Sequence, residues 1–245
     1  VAGRTDNVTD PALAAGLLVA RRGQAFYSRK LNELTDDDLD APSLLPQWSR
    51  RQVVAHVGLN ARALTRLTEW AATGIETPMY DSPEQRTEEI DFAATLPAQA
   101  LRNLSDHAAI HLNVEWRDLP ETAWANEVRT AHGRVVPVSE TVWMRTREVW
   151  IHAVDLGNGA SFRDIPAEVI DRLLDDVQSA WATRAGSDGR PPMLEATDRP
   201  RVSSTAAAAV QGPAWRLAAW ATGRGSADGL STSDGAPLPS APRWL

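Results

Sequence analysis

Within the first 157 residues, apolar side chains recur at helical spacing in four successive segments, a pattern that commits this part of the chain to packed helices. The first runs from Pro11 to about Leu34 on Leu13, Leu17, Leu18, Phe26 and Leu31, and the acidic run Asp36 to Asp38 ends it. The second opens at Trp48-Ser49, where Ser49 is a good N-cap, and continues through Val53, Val54, Val57, Ala61, Leu64 and Leu67 to Gly74, a natural stop. The third starts near Ser82-Pro83, breaks at Pro97 and resumes to about Arg117. The fourth begins near Ser139, without the Glu of a capping box, and runs through Val142, Trp143, Val149, Trp150 and Val154 to Gly157. The polar stretch 118–137 between them reads as loop, with room for a short strand pair around Val128 and Val135. Segments of this number and length predict a four-helix bundle over residues 1–157.

Beyond residue 157 the pattern changes. A helix is expected from Ile165 to Ala185, followed by a turn-rich break over Gly186 to Pro192. Short extended pieces are expected at Met193 to Ala196 and Arg201 to Ser204, then a helix from Gly212-Pro213 to Thr222. The tail from Gly223, rich in Gly, Ser and Pro, reads as loop held down where a residue such as Trp244 finds a pocket. The expected fold class is therefore α + α/β, with a helical bundle over 1–157 and a small α/β domain over 158–245.

Composition narrows the chemistry. A net charge of -7 supplies no basic field, which argues against nucleic acid and for small-molecule partners. No apolar run approaches the ~20 residues of a membrane span, and Leu13 to Ala20 reads as a helix face rather than a signal segment, so cytoplasmic residence is expected. There is no cysteine, which excludes disulfides, thiolate metal sites and a thiol nucleophile of the chain's own. Lys30 is the single lysine, which disfavours Schiff-base chemistry, whereas abundant arginine offers bidentate recognition of carboxylates.

Glu148 and His152 stand four residues apart in the fourth helix, on one face and close enough to share an ion. Their apolar flanks, Val149, Trp150, Ile151 and Val154, make an unpaired carboxylate there costly. His56, between Val53 and Val57 on the second helix, is a candidate third ligand, and together the three form a His2Glu set with a coordination position left open. The plain alternatives are a helix-surface Glu–His hydrogen bond and a core histidine with a satisfied ring. A rival set, His107, His111 and Glu115, has more polar neighbours and reads as a solvated face, and His132 beside Gly133 reads as a surface residue. Asp155, three residues after His152, is a candidate for orienting a ligand or handling a proton. Arg86 and Arg224 are candidates for clamping a carboxylate, although an arginine in such a loop is more often just a surface residue.

Trp48-Ser49 with His56 downstream, then Glu140-Thr-Val-Trp-Met-Arg-Thr-Arg-Glu148-Val-Trp-Ile-His152-Ala-Val-Asp155-Leu-Gly157, resembles the mycothiol-dependent maleylpyruvate isomerases of the DinB-like metal-binding superfamily. Thr77-Pro-Met-Tyr80, Ser82-Pro-Glu84, Gly223-Arg-Gly225 and Pro242-Arg-Trp-Leu245 extend the resemblance over nearly the whole chain. It implies zinc on His56, Glu148 and His152 where a DinB-like bundle faces a smaller C-terminal domain. It also implies mycothiol as thiol cosubstrate and conversion of the dicarboxylate maleylpyruvate to fumarylpyruvate in gentisate catabolism. Other chemistry on such a scaffold would be a mycothiol S-transferase, a zinc hydrolase, or a non-catalytic module whose metal only staples two helices.

Overall fold

The computed structural model describes residues 5–184, 191–200 and 209–244. The chain divides into two compact units, Val1–Ala160 and Ser161–Leu245.

The first unit contains helices α1 (Pro11–Asn32), α2 (Arg50–Thr73), α3 (Pro83–Ala94), α4 (Ala98–Asp118) and α5 (Glu140–Asp155). Local chemistry sets their ends. The Asp10 carboxylate accepts from the Ala12 and Leu13 amides ahead of Pro11, and Ser49 and Gln52 form a reciprocal capping box at the start of α2. Gly74 closes α2 at φ 74°, a left-handed conformation that costs glycine nothing. Ser82 accepts from the Gln85 amide to start α3. The break expected at Pro97 separates two helices: Thr95 caps α3 and α4 starts anew after Pro97, so five α-helices are found among the described residues of the first unit. The expected strand pair is present, with β1 (Glu127–Arg129) antiparallel to β2 (Val135–Pro137) and Val128 opposite Val136.

Two helix pairs make up the core. Helix α5 packs principally on α1, and α2 on α4. Gly16 lies against Val142 and Gly23 against Val149 and Trp150, so α1 and α5 run side by side in the same direction. Phe26 and Trp150 stack along this seam at 5.1 Å. Leu17, Leu64, Leu67, Leu112, Trp116 and Val142 fill the interior, and the Trp116 indole N–H finds the Thr141 hydroxyl at 3.1 Å.

The second unit contains α6 (Ala167–Arg184), α7 (Ala214–Ala221) and a three-stranded sheet of order β3 (Met193–Ala196), β4 (Ala209–Gly212), β5 (Ser231–Thr232). Strands β3 and β4 are parallel, and β5 joins β4 antiparallel. The piece expected at Arg201 to Ser204 lies outside the described residues. Strands β4 and β5 are not evident from composition, because one is a short Ala/Gly-containing segment and the other two residues inside a Gly/Ser/Pro-rich tail. Trp181 meets Trp220 edge-on at 6.1 Å and donates its indole N–H to the Pro242 carbonyl at 3.0 Å, next to buried Trp244. The tail is thus tied down through the end of α6. Among the described residues no helix is long and apolar enough to cross a membrane.

The closest approach of α1 to α5 sets a first prediction. A Cβ on Gly23 would stand 2.6 Å from the Trp150 indole nitrogen and 2.7 Å from a Val149 methyl. Gly23→Ala is expected to destabilise the protein by about 1–3 kcal/mol through overpacking, read as a lowered urea midpoint at unchanged m-value.

Candidate metal centre

His56 reaches the interior because α2 is apolar on nearly every face around it: Val53, Val54, Ala55 and Val57 are fully buried and His56 is 6% exposed. Trp48, just ahead of the helix, sets its ring edge-on to the imidazole at 5.7 Å. Helix α5 runs antiparallel to α2 here, and its Glu148 and His152 sit one turn apart facing His56. The Glu148 Oε2 atom lies 2.9 Å from His56 Nε2 and 3.1 Å from His152 Nε2. The two imidazoles meet edge to face at 4.8 Å. Asp155, fully buried, accepts from His152 Nδ1 at 2.8 Å, which fixes the ring and turns Nε2 toward Glu148.

Arg86, near the start of α3, places Nη2 3.2 Å from His56 Nδ1 and its guanidinium over the Tyr80 ring at 5.8 Å. Guanidinium nitrogens only donate, so Nδ1 accepts in this contact and Nε2–H donates to Glu148. Arg224 belongs to the second unit, where it donates to the Thr222 carbonyl at 2.8 Å. Of the rival set, His111 and Glu115 are 3.4 Å apart and lie near Glu69 of α2, a neighbour that spacing along α4 cannot reveal. His111 is more than half exposed, and His107 and His132 are exposed as well, in keeping with a solvated face.

The charges explain one another. Burial opposes ionisation of Glu148, but hydrogen bonds from His152 and His56 overcome it and hold the carboxyl well below its ordinary range. Burial likewise opposes charge on His152, yet the bonds to Asp155 and Glu148 win and raise it to about 9. For His56, burial prevails over its bond to Glu148 and pushes the ring down. Without metal, then, the site at neutral pH is a neutral imidazole, a carboxylate and an imidazolium.

The donor atoms of His56, Glu148 and His152 all lie within 4.8 Å of one another. Ligands bound to one tetrahedral zinc at ~2.0–2.1 Å stand roughly 3.3 Å apart, so the Glu148 oxygen, 2.9 and 3.1 Å from the two imidazole nitrogens, is within a few tenths of an ångström of the spacing a shared ion sets. Two imidazoles and one carboxylate are the donors of catalytic zinc sites that keep a position open.

A helical bundle carrying a buried His2Glu donor cluster is the class that fold and site define. The family model of the mycothiol maleylpyruvate isomerase N-terminal domain matches residues 20–157. A crystal structure of mycothiol-dependent maleylpyruvate isomerase is 44% identical over 95% of this chain and 97% of its own, with a TM-score of 0.87. The structure of a histidine-to-alanine mutant of mycothiol-dependent maleylpyruvate isomerase is 43% identical over the same shares, also at 0.87. A comparison with curated proteins found no match. The chain belongs to the mycothiol-dependent maleylpyruvate isomerase family.

Two residues of the site were not singled out by spacing. Tyr80 backs Arg86, and Arg145 lies three residues before Glu148 on the same buried helix face. The one signal that could have found Arg145 is its place among the apolar Trp143, Val149 and Trp150.

Proton linkage gives the second prediction. The raised pKa of His152 stabilises the metal-free protein fully below the ordinary histidine value, and this contribution is lost as pH rises through about 9. The depressed Glu148 acts oppositely, contributing above the ordinary carboxyl value and losing that contribution as pH falls. A metal ligand must be an unprotonated imidazole, so zinc uptake at pH 7 is expected to expel about one proton, that of His152. Calorimetry in buffers of different ionisation enthalpy measures it; zinc uptake with no proton release would contradict the charge assignment.

Proposed function

We propose that this chain is a mycothiol-dependent cis–trans isomerase that converts maleylpyruvate to fumarylpyruvate, a step of gentisate catabolism, with zinc held by His56, Glu148 and His152. The observation that carries the reading is the convergence of these three donors from two helices in a member of this family. The absence of cysteine agrees with it, since the thiol must then come from a cosubstrate.

When bound, zinc with two neutral imidazoles and one carboxylate retains positive charge and lowers the pKa of a coordinated thiol. The thiol supplies reversible addition to the conjugated cis alkene, which makes the central bond single so that it can turn before the thiol departs. The protein's own residues prepare this chemistry. Asp155 holds the proton of His152 on Nδ1 and so keeps Nε2 as the donor atom. With Nε2 given to a metal, the proton of His56 would sit on Nδ1, which would then no longer accept from Arg86. The guanidinium is then available to a substrate carboxylate, and it remains backed by Tyr80. Arg86 thereby holds one end of the substrate while the central bond rotates.

The deciding measurement is the disappearance of maleylpyruvate over zinc-loaded protein with and without added mycothiol. Turnover that requires the thiol supports the isomerase; turnover without it points to a hydrolase, and none with zinc bound points to S-transfer. His152→Ala is expected to lose retained zinc on gel filtration and with it turnover; full zinc occupancy in that variant would remove His152 from the site. Asp155→Asn is expected to weaken zinc about 10–100-fold while the fold persists.

A further inference from the structure

Arg145 is 2% exposed, and its guanidinium bonds go to neutral oxygens on two other helices. One terminal nitrogen donates to the Val57 carbonyl at 2.7 Å and the Asn60 side-chain oxygen at 2.9 Å, both on α2. The other donates to the Gln24 side-chain oxygen on α1 at 2.8 Å. Burial depresses its pKa to about 10, with Glu148 as the first opposing charge. Burying a cation without a carboxylate in direct contact is costly, so the arrangement calls for a reason.

Geometry supplies one. The His56–Glu148 pair spans α2 and α5, yet each of these helices packs principally on a different partner. Their relative position therefore rests on a smaller interface than either helix forms with its main partner. Arg145 departs from α5 three residues before Glu148 and lands on the carbonyl next to His56, fixing both the rotation and the axial register of one helix against the other at the level of the donors. We infer that Arg145 is a positioning residue for the metal centre, a fork that sets the distance between His56 on α2 and the Glu148–His152 pair on α5. This inference rests on the metal reading above. A planar fork can hold Val57, Asn60 and Gln24 together; a lysine ammonium on a flexible stem cannot.

Coulomb's law gives the alternative role the opposite sign. If Arg145 acted only through its charge, it would repel a bound cation, so Arg145→Met would tighten zinc and Arg145→Lys would leave it unchanged. If it acts by positioning, both variants weaken zinc, about 10–100-fold as for other residues that orient ligands.

The experiment is a zinc titration against a chromophoric chelator, with circular dichroism verifying that each variant is folded and cobalt(II) absorption reporting donor geometry. Unaltered protein that takes up no zinc overturns the metal reading and this inference together. Unaltered protein that binds zinc, with Arg145→Met binding as tightly or more tightly, overturns the positioning role alone. Leu112→Ala, a core truncation on α4, is the stability control and is expected to lower the melting temperature without moving zinc affinity. Should both Arg145 variants fail to fold, Asn60→Ala decides: it removes one of the two bonds to α2 and is expected to weaken zinc severalfold and alter the cobalt bands. Unchanged affinity and bands in Asn60→Ala would then overturn the role.

Discussion

The Glu148 carboxylate, set between two imidazoles in the interior of the first unit, is the interaction on which the arrangement around it depends. A lone carboxylate at such a position would take up a proton or draw in water, since the cost of desolvating it runs to several kcal/mol. Instead it ionises, because His152 carries the compensating charge and Asp155 in turn holds His152. The three donor residues thus carry no net charge between them before any ion enters. Replacing the His152 proton by a divalent ion exchanges one cation for another at the same place, and so asks little rearrangement of the surrounding apolar side chains.

That economy holds only if α2 and α5 keep their register, and their direct packing is supplemented by polar contacts. Two arginines supply them, on either side of the donors. Arg145 reaches from α5 to α2 just past His56. Arg50, at the start of α2, donates to the Leu156 and Gly157 carbonyls at the end of α5 and to the Asp38 carbonyl. Arg50 therefore satisfies orphan acceptors at a helix C-terminus, where positive charge is also favoured by the helix dipole. The apolar seams fix which helices are neighbours, and these polar clamps fix how far each slides.

Much of this was legible in the sequence, and the parts that were not share a cause. Ser49, Gly74, Pro83, Pro97 and Gly157 mark helix ends because capping and φ restriction act within a few residues. The Glu148–His152 pair is legible for the same reason, as an i, i+4 relation on one helix. His56 stands 92 residues from Glu148, and no spacing rule reaches that far; a family motif does. Arg145 is harder still, since Arg145-Thr-Arg147-Glu148 reads as a charged, solvated run until α1 and α2 are seen to close over it. Strands β4 and β5 fail for a related reason: with two to four residues each, they are strands only because the neighbouring strand supplies their hydrogen bonds.

Charge counting around the donors also bears on what the site attracts. Around the donors stand two carboxylates, Glu148 and Asp155, and two guanidinium groups, Arg86 and Arg145, and the imidazoles would be neutral were they to ligate. These side chains offset one another, so the charge of a divalent ion on the donors is left uncompensated by the protein. With Trp48 edge-on to His56 and the buried valines of α2 around it, that excess would be only partly screened by water. On the metal reading it would favour anions at an open coordination position, which is the state a thiol must reach to act as a nucleophile and the state a dicarboxylate already has. A hydrolase using metal-bound hydroxide would benefit from the same excess, so net charge alone would select for anionic partners and leave the choice among them to groups such as Arg86 and to a thiol the chain itself lacks.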